Sequence, residues 1–202
     1  QLGSALARID ALHAPHPATP MSAFFGAFLG LGGLSFGEVL LRSSGVAPSN
    51  TLLFVGSFGA LSTLLYAAPA APLGKPRNTF YGHTISVLIA LAVHLLLRPL
   101  LGAVGVVLPV VLERALTPAL AIGAMVLFKV PHPPAAACVA IYATLGDVGQ
   151  QTVAYLLMPV LVGCAYLLLV QWVVAAGVRC LAPTADGSAP ALMQTLKEQL
   201  GS

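Results

Sequence analysis

The chain has 202 residues, 58% of them hydrophobic and 7% charged, with nine Lys/Arg against six Asp/Glu and a mean hydropathy of +0.93. Soluble domains carry about a quarter charged residues, and several helices this apolar in succession could not share one small soluble core. The composition therefore specifies an all-α, polytopic membrane bundle of four to six hydrophobic segments, with lipid as its surroundings. The net charge of +3 is scattered and lacks interleaved aromatics, which excludes nucleic acid as a partner.

Residues 1–21 form a polar lead-in holding Arg8, Asp10, His13, His16 and prolines. A solvated tail accounts for the two histidines better than a metal site does. The sequence begins at Gln1, so a processed chain or a fragment is expected. The membrane domain is expected over 22–179, and 180–202 is a polar tail in which Ala191, Leu192, Leu196 and Leu200 suit a short amphipathic helix.

Ser22–Leu41 is the first span, with small-xxx-small patterns at Gly26/Gly30 and Gly33/Gly37 that permit close helix approach. Glu38 and Arg42 read as interfacial residues near its end. After a Ser/Pro/Gly loop, Asn50 and Thr51 are placed to cap Leu52–Ala68, which Gly56-Ser57-Phe58-Gly59 interrupts and Ala68-Pro-Ala-Ala-Pro72 ends. A broken span or a re-entrant hairpin fits. Irregular backbone at that depth must be buried by protein or reached by water. Lys75, Arg77 and Asn78 form the densest basic cluster, either an orienting flank or a mouth that attracts anions. Phe80–Leu97 is a span closed by Arg98-Pro99, with His83 and His94 on one face. Leu100–Leu112 is a broken, partly embedded connection and Leu112–Phe128 the next span.

Phe128–Cys138 then sets Lys129, His132 and three prolines between apolar runs. A helix should stop there, and Pro133 and Pro134 suit the first turn of a new one through Ala135–Ala143. A polar turn at Gly146–Gln151 precedes a long span, Val153–Val178, stopped by Arg179. Cys138, Cys164 and Cys180 lack metal-ligand spacing, and the first two read as packed thiols.

Displaced by 76 residues, the chain meets itself. Leu61–Ala67 falls on Ala137–Ala143, and Gly56–Ala60 on His132–Ala136. Interrupted segments at matching positions of two halves point to a site at the interface of an internal repeat, where N–H groups at helix starts favour an anion.

The residues His132-Pro133-Pro134-Ala135-Ala136-Ala137 resemble the signature of the HPP family of small integral membrane proteins. Gly56-Ser57-Phe58-Gly59-Ala60, the run Ala68–Asn78 and Gly82-His83 resemble further patterns of that family in the right order. The chain departs from those patterns at Gly74-Lys75 and at Ala136. The resemblance implies four spanning helices and, from plastid and cyanobacterial members, nitrite transport. The expectation is a non-enzymatic transporter or channel for a small anion. His132, Pro133, Pro134, Ser57, Gly59, Lys75, Arg77, Asn78 and His83 would form its site, with no catalytic residue, metal or cofactor. An organellar membrane (plastid or mitochondrial) is the expected setting, with a bacterial inner membrane as the other. The alternative is an accessory subunit of a larger respiratory or photosynthetic assembly, with homo-oligomer or neighbouring subunits as partners. Transport would be passive or ion-coupled, since the chain has no phosphate-binding loop.

Overall fold

The computed structural model describes Asp10 and residues 16–46, 51–144 and 152–181. Most of the N-terminal lead-in, Asn50, the polar turn expected at 146–151 and the C-terminal tail, where an amphipathic helix was expected, lie outside these. The described residues contain helices and no strand.

Six helical elements follow one another. α1 is Pro20–Ser43, opened by a capping box between Thr19 and Ser22. α2 is the short Ser57–Ala67, α3 Pro76–Ala103, α4 Val110–Leu127, α5 the short Pro133–Tyr142 and α6 Leu156–Leu181. α1, α3, α4 and α6 are long and apolar enough to cross a membrane. Their outward faces carry large apolar side chains such as Phe24, Phe28, Phe36, Leu96, Leu127 and Trp172, all exposed in the isolated chain, as lipid contact requires.

Several boundaries differ from the sequence expectation, each for a local reason. Residues 51–55 lie outside any helix, Gly56 makes a turn (φ −56°, ψ −26°), and α2 begins only at Ser57. Thr51 therefore does not cap α2, whose N-cap is Gly56 without a side-chain hydrogen bond, and the segment before it is braced from α1 instead. The Glu38 carboxylate accepts the N–H groups of Leu53 (2.8 Å) and Phe54 (2.9 Å), and the Arg42 guanidinium holds both Glu38 (2.9 Å) and the Thr51 carbonyl (2.9 Å). These two residues are the brace of the first break, not free interfacial charges. α3 runs past Arg98-Pro99, where an end was expected. The backbone over Val93–Leu97 widens into a π-turn in which Arg98 N–H reaches the Val93 carbonyl, so the proline enters an already loosened ladder. α4 stops before the prolines. Lys129 adopts a left-handed conformation (φ 57°), with Lys129 N–H on Val126 and Val130 N–H on the Met125 carbonyl. This is a Schellman end with lysine in the usual glycine position. α6 is kinked at Met158, next to Pro159.

The paired contacts fix every helix direction. Gly37 meets Leu53 while Gly26 meets Tyr66, so the segment through α2 runs antiparallel to α1. Gly56 meets Ile141, and the turn after α2 meets His132, so α2 is antiparallel to α5. Gly82 beside His132 and His94 beside Tyr142 make α3 parallel to α5. Gly163 beside Phe58 and Gln171 bonded to the Leu65 carbonyl make α6 parallel to α2. Met125 packs on Gly82 and Glu113 lies near Tyr142, so α4 opposes α5 and α3. Directions alternate along the chain: α1–α2–α3 and α4–α5–α6 are two long–short–long halves of inverted orientation. The interface of α1 with α6 repeats as that of α4 with α3. Helix starts at Ser57 and Pro133 lie 76 positions apart, as do Pro76 and Thr152, where a single helical turn (Thr152–Tyr155) leads into α6.

The core lies where the short helices meet: Phe58, Leu61, Leu65, Val87, Cys138 and Val139 are fully buried. Leu65 would normally receive the N–H of residue 69, but that residue is proline. Gln171 Nε2 occupies the carbonyl instead at 3.2 Å. Tyr66 hydroxyl bonds the Leu167 carbonyl at 2.9 Å. Such interhelical hydrogen bonds substitute for the hydrophobic drive that lipid does not provide.

Candidate functional site

The chain brings two buried histidines from elements 49 residues apart into contact. His83, seven residues into α3, is fully buried, and His132, the last residue before α5, is 1% exposed. Their ring centroids lie 4.9 Å apart. The Phe58 ring, at the start of α2, stands 6.2 Å from His83. The starts of both short helices therefore meet one position on α3.

Two local features make this approach possible. Gly82 has no side chain where a Cβ would stand 2.6 Å from His132 Cβ and 3.4 Å from Met125 Sδ. The extended conformation of His132 (φ −147°, ψ 95°) then carries its ring inward while Pro133 begins α5.

Both rings are oriented by backbone. His83 Nδ1 lies 2.9 Å from the Thr79 carbonyl and His132 Nδ1 lies 2.8 Å from the Leu73 carbonyl. A carbonyl oxygen only accepts, so each Nδ1 carries the proton, and in a neutral ring Nε2 holds a lone pair. Both Nε2 atoms are buried and without a hydrogen-bond partner, as are the nearby hydroxyls of Thr79 and Ser86. Polar groups left unpaired in a low-dielectric interior are costly, so these four atoms mark a place built for something other than packing.

Of the residues expected to form the site, His83 and His132 meet, while Pro134 is buried in the first turn of α5 and Ser57 is buried next to Cys138. The others fall elsewhere. Gly59 is half-buried and open around its missing side chain, and Pro133 is exposed. Lys75 is exposed in the turn before α3. Asn78 braces that turn through its amide N–H on the Pro72 carbonyl at 3.1 Å. Arg77 is half-buried, with its Nε buried and unpaired. The backbone donors expected at the helix starts are largely spent. Phe58, Gly59 and Ala135 N–H groups bond the carbonyls of Val55, Gly56 and His132, and Pro133 and Pro134 have none to offer. A tight first turn closes on itself, so side chains must supply the recognition.

A cavity of about 250 Å³ reaches His132 between α4 and α5, lined by Ile122, Met125, Val126, Pro131, Pro133 and Ala136. Its wall is apolar apart from the imidazole. Phe58, Gly82 and the Glu38–Arg42 brace shape the site without being expected from the sequence pattern. Only Gly82-His83 carried a readable signal, a glycine preceding a histidine inside an apolar helix.

The 76-residue register does not repeat this chemistry. Gly56 stands opposite His132 and Pro159, at the α6 kink, opposite His83. The backbone is doubled, whereas the histidine pair occurs once.

The sequence pattern described as "HPP, transmembrane region" matches residues 10–179. A transmembrane protein of Dictyostelium discoideum is 29% identical over 135 residues, covering 67% of this chain and 42% of that protein. The chain thus spans about two-fifths of the length of that relative. No solved structure matches.

Proposed function

The chain belongs to the HPP family of integral membrane proteins, and from that premise we propose that it carries a small monovalent inorganic anion, nitrite foremost, across the membrane. The observation that supports this reading is the meeting of two discontinuous crossings, in oppositely oriented halves, at the buried His83–His132 pair. Transporters built from inverted repeats place substrate at such a meeting of broken helices. The pair is small, buried and approached by the cavity beside His132, which suits an ion of a few atoms.

In the proposed path Lys75 and Arg77 raise the anion concentration at the start of α3. The anion then exchanges water for the hydroxyls of Thr79 and Ser86 beside the histidine pair. Alternating access follows from rocking one three-helix half against the other, with the glycine contacts of α1 on α6 as one sliding surface. An organellar membrane is the proposed setting, on the resemblance to plastid members alone.

The test is nitrite flux into proteoliposomes, comparing the unmodified chain with His132→Ala and Arg77→Ala. Loss of flux in His132→Ala and a salt-sensitive reduction in Arg77→Ala are expected. Flux equal to that of protein-free vesicles would end the reading.

A further inference from the structure

The hydrogen-bond directions at the two histidines determine what must accompany the anion. From them we infer that the His83–His132 pair takes up one proton together with each anion, so that the two cross the membrane as a neutral pair. This deepens the transport reading above and rests on it.

The tautomers set what the pair presents to a ligand. With both Nδ1 protons committed to the Thr79 and Leu73 carbonyls, the neutral pair turns two lone pairs, not two donors, toward any ligand. An anion next to two lone pairs is repelled. A proton added to one Nε2 converts it into a charged N–H donor, and the imidazolium and the anion then neutralise each other. Each alone would be a single charge in an apolar interior, which is strongly disfavoured. Proton and anion therefore raise each other's affinity at the same site, as linkage requires. A second proton is opposed by the first across 4.9 Å between the rings, so the pair holds one.

The surroundings leave this role to the pair. His132 is the titratable side chain whose ring lies against His83 among the described residues. α2 contributes Phe58, α4 Met125, and α3 the hydroxyls of Thr79 and Ser86. α5 and α6 contribute the thiols Cys138 and Cys164, with Cys138 next to Ser57 and Tyr155. Lys75 is exposed just before α3 and Arg77 is half-buried in the first turn of α3. Glu38 is held by Arg42 and two backbone N–H groups, and Glu113 lies beside Tyr142 at the other end of α5. Among the described residues no carboxylate is in contact with the rings to balance a lone imidazolium, so the anion itself must do so.

The step conserves charge and atoms. A proton from water adds to an Nε2 lone pair, the anion accepts a hydrogen bond from the new N–H, and on the far side both return to water.

The experiment combines ¹⁵N NMR of histidine-labelled protein in detergent with a pH-sensitive dye, using nitrite as the probe. His83→Gln and His132→Gln assign the signals. Glutamine at 132 keeps an amide that can donate to Leu73, and the surviving Nδ1–H signal of the other ring reports that the fold persists. Without nitrite, both rings should show protonated Nδ1 and bare Nε2. With nitrite, one Nε2 should become protonated and the dye should record about one proton taken up per anion bound. Nitrite flux with both Nε2 atoms remaining bare would overturn proton coupling and leave anion transport standing. Neither flux nor any spectral change would overturn both.

Discussion

The close approach of α3 to the second break rests on Gly82, and Gly82→Ala tests it directly. The added Cβ would stand 2.6 Å from His132 Cβ, well inside ordinary carbon–carbon contact of about 3.5–4.0 Å. The neighbour is a Cβ fixed to the backbone of the break, so it cannot rotate away. α3 and the 128–132 segment must separate by roughly 1 Å, an overpacking that costs about 1–3 kcal/mol. The same movement lengthens the 2.8 Å contact between His132 Nδ1 and Leu73 and frees the ring from its orientation. Gly123→Ala is the matched control, because nothing lies within 4 Å of its added carbon. In a helix interior that change should be neutral or stabilising by up to about 1 kcal/mol. Thermal unfolding in detergent should therefore fall for Gly82→Ala and hold or rise for Gly123→Ala. The first variant should also lose nitrite flux and the His132 Nδ1–H signal. Equal unfolding temperatures and equal flux in the two variants would refute the packing on which the site is built.

Two further substitutions probe the breaks themselves. Glu38→Gln keeps one acceptor oxygen but removes the charge that receives two N–H groups and faces Arg42. It should destabilise by about 2–3 kcal/mol and raise amide exchange at Leu53 and Phe54, and unchanged exchange at both would contradict the brace. Lys129→Gly relieves a left-handed lysine and should leave stability unchanged or raise it by about 1 kcal/mol, measured by the same unfolding assay; a loss would show that the lysine side chain holds the turn.

Much of the backbone plan was legible because membrane chemistry is local. A run of apolar residues must be helical in lipid, and a proline must end or loosen the turn before it. The start of α5 at Pro133, the break around Gly56 and the 76-residue displacement followed from those rules. Where reading failed, a compensating partner lay far away in sequence. Pro99 does not end α3, because the preceding turn widens. The break before α2 starts earlier than its glycines suggest, because Glu38, 15 residues back, supplies acceptors to Leu53 and Phe54.

The recognition chemistry divides in the same way. Composition and proline placement determined by themselves that this is a helical membrane protein with two related interruptions and a histidine at the second. Which polar groups would be free at those interruptions depended on hydrogen bonds that no spacing encodes. The helix-start N–H groups expected to bind an anion are used by carbonyls three residues back. Gly59, Pro133, Lys75 and Asn78 turn outward or brace a turn. The pairing of His83 with His132 was decided by tertiary structure alone. It requires a glycine on α3 where the break passes, a Leu73 carbonyl left open in the turn, and the inverted packing of two halves that places both histidines on one buried face.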